Sequence, residues 1–451
     1  MNNQTTNAQK SKETIIQLLS NLANPKEIDQ YLKRFVDAGK KHFAVIKVGG
    51  AILNNDLDNL CSSLAFLEQI GLFPIVVHGA GPQLNSELVA AGIEPIFVDG
   101  QRVTTSKILK TAKQVFVEQN LKLSTKLQSL GVKTASITSG VFYAEQDENS
   151  ELGLVGKVTG VNLSPIDTAI KNGAIPILSS LGESESGQSL NINADIATNQ
   201  LAIALQPYKI IFLTETGGIL DQNGKIISSI NLITDYNHLI EQPWLHSGMK
   251  LKVKQIADIL SQLPSTASVS ITKPANLAKE LFTHKGSGTL LRKGESIMVH
   301  DSIETVKVKK LKKLLENSFG KKLKDDYFDT LNFKKAYITY CYRAAALVTE
   351  EHGIEYLDKF VVADEAKGEG LGKAVWQKLA DSTDKMYWRA KPENPINHFY
   401  YHKADGMQKT KDWIIFWKGH FEKSELFECI EHANFKVATL SADIVQGERN
   451  V

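Results

Sequence analysis

Short apolar runs alternate with helical stretches along most of this chain, and several of the runs end in a glycine-bearing turn. Alternating strands and helices of this kind favour an α/β fold in which consecutive strands lie mainly parallel in one sheet. Helices are predicted near 57–70 and from about residue 82. The strand-like runs of the first part of the chain are FAVIKVGG, FPIVVHGAGP, TASITSG, AIPILSSLG, KIIFLTETGGIL and SVSITKP.

A lysine-rich stretch at 301–324 separates this part from a second one. Val308, Leu311 and Leu314 recur in it at three-residue spacing, which is typical of a helix with one buried stripe and solvated lysines. Phosphate recognition by a few of the lysines is the alternative. Beyond it, AYITYCYRAAALVT (one strand), EYLDKFVV, a glycine turn, a helix, KMYWRA and DWIIFW predict a second α/β unit. We expect assembly or regulatory helices at 1–40, a first domain at 41–300, a linker at 301–317 and a second domain at 318–451.

Composition and charge exclude several classes of function. The 52 lysines and arginines nearly balance the 50 aspartates and glutamates, and the basic stretch has only Phe319 among its lysines, so no nucleic-acid partner is expected. No window approaches about 18 uninterrupted apolar residues. The first residues lack both a hydrophobic signal core and the arginines of a transit peptide. We expect no membrane contact and a cytoplasmic protein, or a mitochondrial-matrix protein if the source is eukaryotic.

Cysteines and histidines do not form the pattern of a metal site. Cys61, Cys341 and Cys429 are widely spaced and form no CxxC pair, which predicts reduced, inert thiols. His398 and His402 are spaced for one helix face, but their segment lacks the glutamate of HExxH. No metal site built from protein side chains is predicted.

Three glycine-bearing turns directly follow apolar strands in the first domain. In a parallel sheet such turns meet at the carboxyl edge, where backbone N–H groups and helix N-termini surround phosphate oxygens. Glycine can also serve turn geometry alone. Lys47 favours a functional site, because a lysine that ends an apolar strand has no role in a core and places a positive charge beside the glycines. The turns are Lys47-Val-Gly49-Gly50, His78-Gly79-Ala80-Gly81 and Thr214-Glu-Thr-Gly217-Gly218.

Six motifs that occur in order between about residues 43 and 295 closely resemble the amino-acid kinase family, and within it the N-acetylglutamate kinases. They are KVGG, HGAGPQLN, GQRVT, LNINADIA, LTETGGIL and SGMKLKV. The resemblance implies a mainly parallel sheet sandwiched by helices, with ATP, Mg²⁺ and N-acetylglutamate as reactants. A carboxylate is ionised near pH 7, so its attack on the γ-phosphorus of ATP requires alignment and charge neutralisation rather than a general base.

The same resemblance implies the residues of the kinase site. Lys47 and Lys252 would bind the transferring phosphoryl group, and Asp195 would hold both lysines. Lys252 is chosen over Lys250 because the family's lysine lies three residues after the methionine, here Met249. Ala80 stands where many family members have a third glycine, which leaves the backbone N–H in place. Substrate or phosphate would be bound at Gly49, Gly50, Gly79, Ala80, Gly81, Arg102 and Asn191, and the nucleotide at Thr214, Gly217 and Gly218.

In the second domain, the strand at 360–362 leads into a glycine turn and a helix, which together form an anion site. The turn is not a Walker A loop, because Lys367 stands where its first glycine is required and Ala374 where Ser or Thr is required. SFGKKLKDDY, YLDKFVV, YWRAKPENPINHFYY and DWIIFW resemble the acetyltransferase domain of the N-acetylglutamate synthases. The resemblance is to the vertebrate-like group, in which this GNAT-type domain is fused to an amino-acid kinase domain. Glu365 departs from the broad superfamily pattern, which has Gln or Arg there.

This second resemblance implies sites for acetyl-CoA and for glutamate. Tyr400 is the candidate for proton transfer at the thiolate or the amine, and packing of its ring on the sheet is the alternative. Lys391 stands where the vertebrate enzymes have an arginine. The positive charge is therefore retained, but the paired hydrogen bonds that a guanidinium can donate to a carboxylate are lost. Acetyl-CoA would be bound by Val361, Val362, Lys367, Gly368, Gly370, Gly372 and Lys373, and glutamate by Lys321 or Lys322, Lys359, Arg389, Lys391 and Asn394.

The leading hypothesis is a bifunctional enzyme of arginine or ornithine synthesis: the second domain acetylates glutamate, and the first phosphorylates the product. One alternative is a synthase whose inactive kinase-like domain senses arginine; another is a chain that is chiefly an arginine-responsive sensor or interaction protein. LFTHKGSGTLL at 281–291 resembles the segment near the effector site of arginine-regulated relatives. That likeness implies L-arginine as an effector, near His284, Gly286 and Gly288, and the N-terminal helices imply a homo-oligomer, expected to be a tetramer.

Overall fold

A computed structural model describes residues 43–444, apart from 99, 283–285 and 368. The helices predicted at 1–40 lie outside the described residues, as do His284 and Gly368. The chain divides between Lys293 and Gly294 into two compact units. Within the described ranges, no helix is both long enough and apolar enough to cross a bilayer.

The first unit contains a large, eight-stranded sheet and smaller sheets. Its strands are β1 Ala44–Val48, β2 Ile75–His78, β3 Phe97–Val98, β4 Gln101–Arg102, β5 Thr134–Ile137, β6 Phe142–Gln146, β7 Gly156–Val161, β8 Ile175–Ser179, β9 Leu181–Glu183, β10 Ser189–Asn191, β11 Lys209–Leu213, β12 Ser229–Asn231, β13 Ser268–Thr272 and β14 Thr289–Arg292. The sheet order is β12-β14-β13-β11-β1-β2-β8-β5. Neighbours are parallel except β13 with β14, which confirms the predicted mainly parallel sheet. β10, β9, β6 and β7 form a smaller sheet, and β3 pairs with β4.

Helices cover both faces of the large sheet. They are α1 Gly50–Asn55, α2 Leu57–Gln69, α3 Gly81–Ala90, α4 Ser106–Ser129, α5 Ser164–Lys171, α6 Ala194–Leu205, α7 Leu232–Glu241, α8 Ser247–Gln262 and α9 Leu277–Phe282. Ile46 of β1 packs in one core with Leu60 of α2, whereas Val45 packs in another core with Leu201 of α6. Side chains of a strand alternate between faces, so Lys47 shares the α6 face with Val45.

The second unit is a mixed α/β structure, as predicted. Its strands are β15 Ile297–His300, β16 Lys321–Leu323, β17 Phe333–Thr339, β18 Ala344–Glu351, β19 Ile354–Val362, β20 Met386–Ala390, β21 Gly406–Lys409, β22 Ile414–Lys418 and β23 Leu440–Ile444. Its helices are α10 Val308–Phe319, α11 Leu371–Ala380, α12 Asn397–Tyr401 and α13 Lys423–Phe435. Seven strands form one sheet in the order β15-β17-β18-β19-β20-β22-β21, and β16 pairs with β23.

β19 and β20 form the parallel pair of this otherwise antiparallel sheet. Their registered pairing stops at Tyr356 with Tyr387, although the two strands continue to Val362 and Ala390. Two adjacent strands that no longer pair have main-chain groups that an extended ligand can bind. This opening lies directly before the glycine turn.

Two sequence-based expectations differ from the structure. The helix with a buried stripe that is predicted in the lysine-rich stretch is confirmed as α10. Because its leucines are buried in the core of the second unit, however, the segment 301–317 belongs to that unit rather than to a linker, and the units divide at residue 293 rather than 300. AYITYCYRAAALVT, predicted as one strand, forms β17 and β18 joined by a turn at 340–343. Tyr342 has a φ of 58° there, a left-handed conformation that helps to reverse the chain.

Candidate active sites

The first two glycine turns lie at the carboxyl edge of the large sheet, next to two helix N-termini. Gly49 is the N-cap of α1 and Ala80 is the N-cap of α3. A Cβ atom at Gly50 would lie 2.5 Å from Gln83 Oε1 and 2.8 Å from Pro82 Cδ, so a side chain there would force the two turns apart. The glycine therefore permits two sets of helix N-terminal amides to lie side by side, an arrangement that suits phosphate oxygens.

Ala80 is compatible with this arrangement. It is buried in a cluster with Leu84 and Ile108, and its φ of −140° is an ordinary value for alanine. The methyl group adds to the packing between α3 and α4, and the backbone N–H is kept. Binding of substrate or phosphate by Gly79, Ala80 and Gly81 stays a prediction.

Lys47, Asp195 and Lys252 meet at the N-terminus of α6. Lys47 Nζ lies 2.7 Å from Asp195 Oδ1, and Lys252 Nζ lies 3.7 Å from Asp195 Oδ2. The three side chains are only 14%, 19% and 20% exposed, in that order. Lys47 reaches this point because it shares the α6 face of β1, and Lys252 comes from α8. The sequence-based choice of Lys252 matches the ion pair in the structure.

The two lysines of this cluster favour the ionised form of Asp195. Burial opposes ionisation of Asp195, but Lys47 and Lys252 outweigh it, so the pKa of the carboxyl is lowered. Burial, which outweighs the attraction of Asp195, lowers the pKa of Lys252. One carboxylate thus compensates two partly buried ammonium groups, and the net positive charge suits an anionic transition state.

Arg102 and Asn191 lie close to Thr104 and Asn85. Arg102 Nη2 donates to Asn85 Oδ1, and Asn191 Nδ2 donates to Thr104 Oγ1 over 3.1 Å. Arg102 Nη1 is buried without a hydrogen-bond acceptor among the described residues. Burial lowers the pKa of this guanidinium. A buried donor without an acceptor is costly, so Arg102 suits the carboxylate of a substrate.

The third glycine turn follows β11. Gly217 has a φ of 75°, and its N–H donates to Thr214 Oγ1 over 3.1 Å. A Cβ atom at Gly217 would lie 2.7 Å from Cγ of Lys273. Lys273 was not singled out from the sequence, although it directly follows the apolar strand β13, much as Lys47 ends β1. Its side chain packs against the predicted nucleotide turn.

The segment predicted to lie near an arginine site is held by Glu280. This buried carboxylate accepts N–H groups of Ser287 and Gly288 at 2.9 and 3.2 Å. Gly286 has a φ of 56°, and a Cβ atom there would lie 2.6 Å from Glu280 Oε2. Glu280 was missed from the sequence because its partners are backbone groups seven and eight residues further along the chain.

The same segment packs against the predicted nucleotide turn. A Cβ atom at Gly288 would lie 2.0 Å from the carbonyl oxygen of Ile271 and 2.9 Å from that of Gly217. Thr289 Oγ1 accepts the N–H of Ile219 over 2.8 Å. The two loops are therefore in direct contact.

In the second unit, the glycine turn ends at the N-terminus of α11. Gly370 is the N-cap of this helix and has a φ of 80°, and Lys373 is exposed in its first turn. A Cβ atom at Gly372 would lie 2.9 Å from Val362 Cγ2, so the glycine lets α11 approach the end of β19. Lys367 forms an exposed ion pair with Asp364.

A buried ion cluster holds the glycine turn through Glu369. Arg343 Nε donates to Glu295 Oε1 over 2.7 Å, and Arg343 Nη2 donates to Glu369 Oε2. Burial opposes the charge of Arg343, but the two carboxylates outweigh it and raise its pKa. Glu369 lies inside the glycine turn, so its ion pair with Arg343 offsets part of a negative charge that would repel a bound phosphate.

Lys359 and Asp358 form a buried ion pair on β19. Leu347 pairs with Lys359 and Val348 with Leu357, which makes Asp358 the extra residue of a β-bulge. The Asp358 carboxylate lies 2.5 Å from Lys359 Nζ and 2.7 Å from the Tyr327 hydroxyl, with side-chain exposures of 7% for Lys359 and 3% for Asp358. Burial opposes ionisation of Asp358, but Lys359 and Tyr327 outweigh it and lower its pKa.

Two more cations lie at the end of β20. Arg389 Nη1 donates to the carbonyl oxygen of Ala433 over 2.6 Å, and Lys391 Nζ donates to that of Asp412 over 3.3 Å. Both side chains also contact the indole of Trp413. Lys436, which was not predicted, lies 2.9 Å from Glu351 and 4.0 Å from Asp358.

Of the remaining predicted glutamate ligands, Asn394 accepts a backbone hydrogen bond, and Lys321 and Lys322 are exposed. Asn394 Oδ1 accepts the N–H of Ile396 over 3.2 Å, which stabilises a turn before α12. Lys321 and Lys322 are exposed on β16, which belongs to the separate two-stranded sheet. A contact of these three residues with glutamate stays a prediction.

The Tyr400 ring lies in an aromatic cluster between α12 and the sheet. Its ring centroid is 5.5 Å from that of Trp388, 5.5 Å from that of Phe416 and 5.8 Å from that of Trp376. Burial raises the pKa of its hydroxyl, so the tyrosine is protonated at neutral pH. Its part in proton transfer stays a prediction.

Replacement of Asp358 by asparagine is expected to lower the free energy of unfolding of the second unit by about 3–5 kcal/mol at neutral pH, because it leaves the Lys359 ammonium group buried without a counter-charge. The pKa of Asp358 is lowered by folding, so its contribution is present above about pH 4 and is lost as the pH falls through the folded pKa. Urea unfolding followed by tryptophan fluorescence, at neutral pH and at a pH well below about 4, measures this difference.

Asp364→Asn is the matched control, because Asp364 forms an exposed ion pair with Lys367. We expect that variant to differ from the unsubstituted protein by less than about 1 kcal/mol. Equal urea midpoints for Asp358→Asn and the unsubstituted protein at neutral pH would contradict the stabilising role of Asp358. A difference in the free energy of unfolding that is as large well below about pH 4 as at neutral pH would also contradict it.

Family models match two consecutive parts of the chain. Residues 42–271 match the amino acid kinase family, and residues 298–436 match the N-acetyltransferase of N-acetylglutamate synthase. An acetylglutamate kinase of Xanthomonas campestris is 50% identical over 424 residues, which cover 93% of this chain and 100% of that protein. The mitochondrial N-acetylglutamate synthase of Homo sapiens is 31% identical over 422 residues, which cover 91% of this chain and 76% of that protein.

A solved structure has a similar fold. The N-acetylglutamate synthase from Neisseria gonorrhoeae, complexed with coenzyme A and N-acetyl-glutamate, covers 88% of this chain and 98% of its own at a TM-score of 0.60. The sequences are 17% identical, so this likeness shows the fold.

Proposed function

Because the chain belongs to the amino acid kinase family and carries an N-acetyltransferase domain fused to the kinase domain, we propose that it catalyses two consecutive reactions of arginine biosynthesis. The C-terminal unit transfers the acetyl group of acetyl-CoA to glutamate. The N-terminal unit phosphorylates the resulting N-acetylglutamate with ATP. The product of one site is thus the substrate of the other.

The Lys47–Asp195–Lys252 cluster is the observation that carries the kinase proposal. The side-chain carboxylate of N-acetylglutamate attacks the γ-phosphorus, the bond to the β,γ-bridging oxygen breaks, and ADP leaves with the electron pair. Both reactants are anions, so catalysis depends on alignment and on neutralising charge. Lys47 and Lys252 supply two positive charges, and Mg²⁺ would accompany the ATP phosphates. A domain that only sensed arginine would not need this cluster.

The opening between β19 and β20 supports the acetyltransferase proposal. The glycine turn and the N-terminus of α11 would bind the pyrophosphate of acetyl-CoA, and its pantetheine arm would lie along Val361 and Val362. The neutral amine of glutamate attacks the thioester carbonyl, the C–S bond breaks, and the amine proton goes to the thiolate, with Tyr400 as the proposed carrier. Lys359 and Arg389 would attract the carboxylates of glutamate.

Two assays on one preparation test both activities. N-acetylglutamate with MgATP is expected to give an acyl phosphate that hydroxylamine traps as a hydroxamate. Glutamate with acetyl-CoA is expected to release the CoA thiol. Hydroxamate formation without thiol release would contradict the acetyltransferase proposal, and thiol release without hydroxamate formation would favour a synthase with an inactive kinase domain.

Regulation by L-arginine is a second proposal, supported by the loop that Glu280 holds. Gly286 and Gly288 belong to that loop, and a buried carboxylate beside it is a suitable partner for a guanidinium. Because the loop contacts the predicted nucleotide turn, a ligand bound there would alter the kinase site. The predicted homotetramer stays a prediction.

Addition of L-arginine is therefore expected to change the hydroxamate-forming rate and to raise the melting temperature of the protein, since a ligand that binds the folded state stabilises it. Rates and thermal unfolding with and without arginine measure both effects. L-Citrulline, which lacks the guanidinium charge, is the matched control. If arginine changes neither activity nor the melting temperature, the regulatory proposal is wrong.

A further inference from the structure

Arg389, Lys391 and Trp413 occupy neighbouring positions on one face of the second sheet. Arg389 and Lys391 are two residues apart at the end of β20, so their side chains point to the same face. β22 is antiparallel to β20, with Ala390 opposite Ile414, and Trp413 directly precedes β22. Continuing that register places Trp413 opposite Lys391 and diagonal to Arg389, which is within reach of an indole.

The contacts follow this register. The Arg389 guanidinium carbon lies 3.9 Å from the centroid of the Trp413 ring, and Lys391 Nζ lies 4.0 Å from it. Each cation also donates to a main-chain carbonyl oxygen, of Ala433 for Arg389 and of Asp412 for Lys391. Each of the two charges is thus held by one carbonyl group and by the same aromatic ring.

Trp413 is itself fixed in a tight hairpin between β21 and β22. Its N–H donates to Thr410 Oγ1 over 3.2 Å, and its carbonyl oxygen accepts the N–H of Thr410 over 2.8 Å. The indole is half-buried. It therefore forms a fixed, electron-rich surface beside the end of β20.

We propose that Trp413 is a positioning residue for glutamate binding, because its indole contacts both Arg389 and Lys391, the two cations at the end of β20. Two cations on one strand face repel each other and, without a common partner, would move apart into solvent. Cation–π contacts with one ring offset that repulsion and keep both groups available to substrate carboxylates. This inference rests on the proposed acetylation of glutamate.

Trp413→Leu in the full chain tests the proposal, because leucine keeps apolar bulk and removes the aromatic face. We expect the KM for glutamate in the CoA-release assay to rise about ten-fold, through loss of two cation–π contacts. The KM for acetyl-CoA is expected to stay within about two-fold, because the glycine turn is untouched. Trp413→Phe keeps a ring and is expected to restore most of the glutamate affinity.

Trp417→Leu is the matched control, since Trp417 lies on the same hairpin and packs against Gly406. It is expected to leave the KM for glutamate near that of the unsubstituted protein. Phosphorylation of N-acetylglutamate by the same preparations reports on the intact first unit. An unchanged KM for glutamate in Trp413→Leu, an equal rise in both KM values, or a phenylalanine variant as impaired as the leucine variant would overturn the role of Trp413. A failure of the unsubstituted protein to release CoA would instead overturn the acetyltransferase proposal, and this inference with it.

Discussion

Replacement of Lys47 by alanine is expected to lower the rate of N-acetylglutamate phosphorylation by about a thousand-fold and to leave the acetylation of glutamate unchanged. Removal of one fixed charge that stabilises a transition state costs about a hundred- to a thousand-fold in rate. Lys47 is one of two ammonium groups on Asp195, 2.7 Å from its carboxylate, at the edge where two glycine turns and three helix N-termini lie. Its loss also leaves the Asp195 carboxylate paired with Lys252 alone. That carboxylate would then repel the phosphates more strongly.

Hydroxamate trapping with saturating ATP measures the effect of Lys47→Ala, and CoA release by the same preparation shows that the protein is folded. Lys250→Ala is the matched control, because Lys250 lies on the same helix as Lys252, two residues away, and is not part of the cluster. We expect Lys250→Ala to keep nearly full kinase activity. Substantial activity in Lys47→Ala, or an equal loss in Lys250→Ala, would contradict the assigned roles.

Replacement of Arg389 by alanine is expected to lower kcat/KM for glutamate by about a hundred- to a thousand-fold in the acetyltransferase assay. Loss of a hydrogen-bonded charge partner in a desolvated site costs about 2–5 kcal/mol. Arg389 lies beside the opening between β19 and β20, where the carbonyl oxygen of Ala433 and the ring of Trp413 hold its guanidinium. Arg389→Lys keeps the charge but not the planar fork, so a partial recovery is expected.

Initial rates at varied glutamate and varied acetyl-CoA measure the effect of Arg389→Ala. Lys385→Ala is the matched control, since Lys385 also connects the start of β20 to α13, through Glu425 at 2.7 Å, but lies at the other end of the strand. That variant is expected to bind glutamate normally. An Arg389→Ala variant with unchanged kinetics, or one that loses only affinity for acetyl-CoA, would show that glutamate binds elsewhere.

Local sequence patterns were sufficient to predict the mainly parallel sheet and the role of Lys47, whereas Asp195 and Lys252 were predicted from the resemblance to the amino-acid kinase family. Strands β1, β2, β11 and β13 are short apolar runs, and the turns after them are marked by glycines or lysines in the sequence. Because parallel strands present their carboxyl ends at one edge, turns that are far apart in the chain are expected to lie together there. Lys47, Asp195 and Lys252 do meet there.

The supporting contacts of both sites could not be predicted in this way. Glu280 binds backbone groups of a later loop, and Arg343 holds a carboxylate 26 residues further along the chain. Asp358 reaches Tyr327 and Lys359 through a β-bulge, for which the sequence gives no local signal. These contacts depend on strand register and on tertiary packing. The motifs, in contrast, consist of residues that are consecutive in the sequence.

The most direct test of the proposed two-step function is the formation of N-acetylglutamyl hydroxamate from glutamate, acetyl-CoA and MgATP with one preparation of the protein, with this product separated from the acetohydroxamate that hydroxylamine forms directly from acetyl-CoA. We expect trapped N-acetylglutamyl hydroxamate that requires all three reactants. Lys47→Ala is expected to accumulate N-acetylglutamate without hydroxamate, and Arg389→Ala to form hydroxamate only when N-acetylglutamate is supplied. If the unsubstituted protein forms no N-acetylglutamyl hydroxamate from glutamate, acetyl-CoA and ATP, the two-step function is contradicted.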